Sequence, residues 1–268
     1  MIRRLHRSVL WGVLLVTAAS PVPLDAQPAA VARPAVSLDR AAQLEFLRTA
    51  RVVRGRQLST GVTSPYRLTL SDGVVTHDAG FQSIEERRSQ ADFGPRGVEY
   101  NFVDSHHFNL AAFTIAGLVG LDAMMPATVH RAWNGREGTL TWWIDDAIEE
   151  RTRRKEKREA PNRVLWAHQL YKMRAFAVLV GDTDRNLGNM LITPDWRLWM
   201  IDFTRAFRMQ TDIKYPKDLP QVDRTVLARL RALDGPTLRA ATAHCLSEFE
   251  VTAVMKRRDV LVLSLIHI

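Results

Sequence analysis

The stretch that most constrains this chain begins at Gly181-Asp182-Thr183-Asp184-Arg185-Asn186-Leu187-Gly188-Asn189 and ends at Trp199-Met200-Ile201-Asp202-Phe203. Asp184 and Asn189 stand five residues apart, after a long helical pattern, and Asp202 follows 13 residues later. Two short apolar runs, 190–193 and 198–201, flank Pro194-Asp195 and predict a tight hairpin. Such a hairpin lets Asn189 and Asp202 converge on one ion. An amide oxygen and a carboxylate are hard ligands that suit Mg²⁺, and a separate carboxylate, Asp184, can orient or deprotonate an attacking hydroxyl. Asp and Asn also form turns on their own account, which explains one of these residues but not all three at this spacing.

The rest of the chain supplies a β-rich half and a helix-rich half. A short helix is expected over 39–49. A β-hairpin is expected over 61–84, turning at Ser71-Asp72-Gly73, and a second over 127–144, turning at Asn134-Gly135. Between them, 105–118 reads as a helix with Phe108, Ala111, Ala112, Ile115 and Val119 on one face. Residues from Asp145 onward read as a polar helical stretch and hinge. A long helix follows over 163–180, stopped by Gly181, and 221–262 reads as helical.

The wording D-R-N-x-G-N followed by I-D-F resembles the kinase superfamily, in which an Asp, an Asn and a metal-binding Asp keep these spacings. It is similar to the atypical branch: phosphatidylinositol kinases (type II 4-kinases above all), HipA-type kinases, secretory-pathway kinases and a bacterial group sharing D-R-N-x-G-N and W-R-L-W-x-I-D. The resemblance is best over 165–207 and finds no counterpart in the last 60 residues. It implies an α+β, two-lobed protein-kinase-like fold, with a β-rich N-lobe over 46–145 and a helical C-lobe over 146–262 that is truncated. It also implies Mg²⁺ and ATP as cofactors, Asp184 as catalytic residue, and Asn189 and Asp202 as metal ligands. Gln82, Asn109 and Arg185 are the expected nucleotide-binding residues on the same ground, although anchoring the loop is the favoured role of Arg185.

Two slots depart from that pattern. The resemblance calls for a lysine on the third strand and a glutamate on the following helix, which together position phosphates. This chain has Gln82 after Phe81, and Asn109 after Phe108. Losing both charges together is physically coherent, because one alone would strand a buried charge. A Gln82–Asn109 hydrogen bond can hold the helix, yet it offers phosphate no full positive charge. His77 and Arg87 are alternative phosphate contacts. The loop at 59–63 carries one glycine. His106-His107 is a weak metal candidate, since adjacent helical residues point in different directions and no carboxylate pair is spaced to join them. The tryptophans at 133, 142, 143, 196 and 199 read as packing.

The ends and the bulk properties bound the remainder. A basic start with Arg3, Arg4 and Arg7, a short apolar run over 9–19 and a cleavage point near Leu24-Asp25-Ala26 read as a signal peptide over 1–26. This implies export, periplasmic or secreted, with an uncleaved membrane anchor as the alternative. Residues 27–45 read as a Pro/Ala linker. Leu263-Ser-Leu-Ile-His-Ile268 resembles an adapter-derived tail. Without residues 1–26 the net charge falls from +8 to +6, three arginines and one aspartate being removed. Much of that charge sits in Arg151–Arg158, a solvated helix face without the aromatics that nucleic-acid binding calls for. A membrane surface is a weak partner candidate. One cysteine excludes an internal disulfide and a cysteine-based zinc site.

Three activities stay open on the sequence. The first is Mg-ATP-dependent phosphoryl transfer to a protein, lipid or small-molecule hydroxyl. The second is a pseudokinase that binds nucleotide or a partner without transfer. The third is nucleotidyl transfer from the same metal site.

Overall fold

The computed structural model describes residues 38–59, 65–211 and 222–266. The signal peptide expected over 1–26, most of the linker and nearly all of the loop at 59–63 lie outside them. In chain order the elements are α1 (Arg40–Thr49), β1 (Arg51–Gln57), β2 (Tyr66–Ser71), β3 (Thr76–Gln82), β4 (Glu85–Asp92), β5 (Val98–Ser105) and α2 (His107–Leu118). There follow β6 (Thr128–His130), β7 (Thr139–Trp142), β8 (Ile148–Glu149), α3 (Glu150–Lys155) and α4 (Arg163–Val180). The chain closes with β9 (Met190–Ile192), β10 (Leu198–Met200), α5 (Arg224–Ala232), α6 (Gly235–Thr242) and α7 (Glu248–Ile266). Among the described residues no helix is long and apolar enough to cross a membrane.

The first half builds an antiparallel sheet in the order β1-β2-β3-β7-β6. Its residues alternate as a half-covered sheet requires. Leu68, Leu70, Ala79, Phe81 and Leu140 bury one face beneath Phe46 and Leu47 of α1. That helix starts inside the stretch read as linker, with the Asp39 carboxylate accepting from the Ala42 amide at 2.8 Å. The opposite face is polar: in register across the strands lie Arg67 and Gly80, Thr69 and Asp78, and Gln82 and Thr139. Gly138 sets the approach of β7 to β3. A Cβ there would fall 2.5 Å from the Gln82 carbonyl oxygen, and backbone cannot swing aside as a side-chain tip can.

The second half gathers a larger core from α2, α4, β9, β10 and α5 to α7. All five residues of the expected α2 face, Phe108, Ala111, Ala112, Ile115 and Val119, are buried in it. Helix α4 begins at Asn162, whose side chain accepts from the Val164 and Leu165 amides, and ends at Gly181 in the left-handed conformation, φ 59°. A Cβ on Gly181 would meet the Arg257 guanidinium at 2.8 Å. Arg257, buried on α7, donates to the Leu179 and Gln210 carbonyls at 3.0 and 2.8 Å. It therefore fastens the end of α4 and the segment beyond β10 together, and burial lowers its pKa to about 10.

Two expectations need correction. Residues from Asp145 are not helical at first: Asp146 has φ 54°, and Ile148 pairs with Ile192 in the β10-β9-β8 sheet before α3 starts at Glu150. The hairpin of β4 and β5 and the strand β1 were not expected at all. They are mostly exposed, so β1 and β4 lack the apolar alternation by which strands are read.

Candidate functional site

The site grows from the loop that Gly181 opens. Asp182 is almost fully buried, and its carboxylate accepts from the Asp184 amide at 2.9 Å and from Arg185 Nε at 2.8 Å. Asn186 folds the next turn by accepting from the Gly188 amide at 2.7 Å. Asn189 Nδ2 then donates to the Asp184 carbonyl at 2.9 Å, which fixes the amide plane and leaves Asn189 Oδ1 as the oxygen available to a ligand. Asp184 keeps a partly exposed carboxylate, 3.9 Å from Arg205 NH1.

Arg185 holds the loop to its neighbours. Its NH1 donates to the carbonyls of Asn189 and Ile201 at 2.6 and 2.7 Å and its NH2 to the Asp202 carbonyl at 3.3 Å, and NH2 lies 2.6 Å from the Asp182 carboxylate as an ion pair. With Nε on Asp182, each of its three nitrogens is hydrogen-bonded. The guanidinium also lies 4.1 Å from the centroid of the Phe203 ring. Its fork clamps the Asp184–Asn189 loop onto the strand that carries Asp202, the anchoring role favoured for it on the sequence.

Asp202 adopts φ 57°, a strained conformation for a residue with a Cβ, at the point where β10 gives way to Phe203. Its Oδ1 accepts from Thr204 Oγ1 at 3.1 Å and from Gln82 Nε2 at 3.2 Å. The Ile201 amide bonds the Asn189 carbonyl at 3.1 Å, so the two expected metal ligands flank one tight hairpin, as the spacing requires. A second acid stands close by. Asp104, at the end of β5, is 7% exposed, and its Oδ1 has no hydrogen-bond partner among the described residues. Burial pushes its pKa up, the Asp202 charge adds to the rise, and Thr204 opposes it through a hydrogen bond.

Gln82 and Asn109 meet as expected. Asn109 Nδ2 donates to Gln82 Oε1 at 2.6 Å, while Asn109 Oδ1 accepts from the Phe203 amide at 2.8 Å. Gln82 hands its own amide hydrogens to Asp202. An uncharged chain of bonds thus runs from α2 through β3 to the Asp202 carboxylate. His77 lies on the other face of β3, stacked on Trp142 and bonded to Asp145, so it does not share the Gln82 face. Arg87 belongs to the outlying β4–β5 hairpin, where it pairs with Glu85. The Gln82 face of the sheet carries Arg67, which pairs with Asp78 at 2.5 Å and lies over Trp143, and, beyond it on β1, Arg54 and Arg56. The sequence signalled neither Arg67 nor Asp104, because both are fixed by strand register, which no local pattern reports.

Comparison with known proteins agrees with this geometry at the level of fold. No family model and no curated protein sequence matches the chain. Among solved structures, hydra Fam20, determined with a sugar, superposes with a TM-score of 0.64 at 14% identity, covering 85% of this chain and 88% of that one. The Helicobacter pylori proinflammatory kinase CtkA gives a TM-score of 0.48 at 10% identity over 82% and 95% of the two chains. The chain has a two-lobed, kinase-like α+β fold, with the β1-β2-β3-β7-β6 sheet in its N-lobe and α4 to α7 in its C-lobe.

Proposed function

We propose that this chain is an exported atypical kinase that transfers the terminal phosphoryl group of ATP to a hydroxyl of a protein, lipid or small molecule. One observation carries the reading: Arg185 locks Asp184, Asn189 and Asp202 into one hairpin-centred group inside a kinase-like fold. The donor set fits Mg²⁺, because Asn189 Oδ1 and the second oxygen of Asp202 are hard ligands with no protein donor among the described residues. Asn189 and Asp202 would hold the ion, which when bound neutralises charge on the phosphates. Asp184 orients the acceptor hydroxyl and takes its proton as the acceptor oxygen bonds to phosphorus and the nucleoside diphosphate departs. Export rests on residues 1–26.

The neutral Gln82–Asn109 pair favours a second reading, a module that holds nucleotide without transferring it. The mass gained by an acceptor separates the readings: a phosphate, a nucleotide, or nothing.

Binding itself is tested by thermal unfolding of the full chain with ATP and excess Mg²⁺. At a hundredfold excess over Kd the ligand should add about 2.7 kcal/mol, a rise of roughly 5–10 °C in Tm for a chain of this size. The rise should vanish without Mg²⁺ and in Asp202→Ala. A well-folded protein that responds to no nucleotide ends the kinase reading.

A further inference from the structure

His106 and His107 stand at the very start of α2 rather than within it. His106 is the N-cap of α2, its amide bonds the Ile84 carbonyl at 2.8 Å, and its ring lies 4.1 Å, centroid to centroid, from that of His107. A third imidazole arrives from the sheet. His130, on β6, lies 5.9 Å from His106 and 5.8 Å from His107 by the same measure. One ring nitrogen from each of the three falls within 4.8 Å of the others.

Packing alone does not account for this trio. His106 is 3% exposed, and its Nδ1 has no hydrogen-bond partner among the described residues, an arrangement that is costly unless something fills it. His107 and His130 keep access to solvent, so an ion can enter. His130 Nε2 lies 3.2 Å from the Glu137 carboxylate, the type of outer contact that fixes an imidazole ligand and raises its basicity.

We propose that His106, His107 and His130 form a site for a divalent transition-metal ion, Zn²⁺ by donor chemistry, that clamps the start of α2 to β6. Three imidazoles with no thiolate and no oxygen-rich shell suit Zn²⁺, Ni²⁺ or Cu²⁺ and not Mg²⁺ or Ca²⁺. Tetrahedral binding at about 2.0–2.1 Å needs nitrogens roughly 3.4 Å apart, a closure within reach of the two accessible rings. The α2 dipole opposes a cation at this end, but that effect is small beside metal–imidazole bonds. The clamp has a direct neighbour. His130 stands opposite Thr139 on β7, which stands opposite Gln82 on β3, and Asn109 is three residues after His106.

The test is Co²⁺ binding to the untagged full chain at neutral pH, followed by visible absorption. One equivalent with the intense bands of a tetrahedral nitrogen-rich site is expected, and equimolar Zn²⁺ should displace it. His130→Ala, at a half-exposed position, should weaken binding by on the order of 100-fold, and Glu137→Gln about tenfold. Asp202→Ala should leave the bands unchanged. Absence of a tetrahedral spectrum, or uptake undiminished in His130→Ala, overturns the proposal. Loss of the bands in Asp202→Ala also overturns it, by assigning them to the Asp–Asn hairpin.

Discussion

Arg185→Ala should lower stability by about 3–5 kcal/mol and remove any response to Mg-ATP, as read by denaturant melts and thermal shifts on the same preparation. The magnitude follows from what the substitution strands. Asp182 would keep a buried carboxylate without its cation, the situation in which breaking a buried pair is most costly. Two carbonyls, those of Ile201 and Asp202, would lose their donor, each at about 1–3 kcal/mol where water cannot reach, and that of Asn189 would keep only the Ile201 amide. Part of that cost relaxes away if the loop opens to solvent. Opening, however, separates Asn189 from Asp202, so nucleotide binding is lost with it. Arg185→Lys should recover little, because one ammonium cannot span Asp182 and three carbonyls as the planar fork does. A variant with wild-type stability and undiminished binding would show that the loop is held by something else.

Asn109→Glu should destabilise the chain by about 3 kcal/mol, and Gln82→Lys in the same molecule should restore most of that loss. Asn109 is buried between Gln82, Thr139 and the Phe203 amide, so a carboxylate there meets no cation and lies near the Asp202 charge. The double variant supplies the lysine and glutamate that kinases use. If the proposed orientation of nucleotide is right, it should also bind Mg-ATP at least tenfold more tightly than the parent. Denaturation of the four chains in a double-mutant cycle reads the coupling. Additive losses would mean that the two side chains do not share one environment, contrary to the 2.6 Å bond between them.

Those two experiments probe what was legible in the sequence and what was not. The Asp184–Asn189–Asp202 group was legible because it lies within one hairpin, where spacing alone dictates proximity. Helix α4 was legible to the residue, its end marked by the capping chemistry of Gly181. The Gln82–Asn109 bond required placing a strand against a helix 27 residues away, and the resemblance to kinases provided that placement. Other features had no local signal. Asp104 joins the site through the Ser105 amide's bond to the Thr204 carbonyl, a contact across 99 residues. Arg257 supports Gly181 from the last helix, in a region with no counterpart in the resemblance. The approach of His130 to His106 and His107 had no local signal, because it comes from β6, 23 residues beyond His107.

The central claim is that a divalent cation and a nucleotide are held between Asn189 and Asp202. Anomalous scattering from crystals grown with Mn²⁺ and a non-hydrolysable ATP analogue tests it most directly. A Mn²⁺ peak within about 2.5 Å of both Asn189 Oδ1 and an Asp202 carboxylate oxygen, with phosphate oxygens completing its shell, is the result expected. Nucleotide bound elsewhere, or a metal peak that misses both residues, would contradict the account.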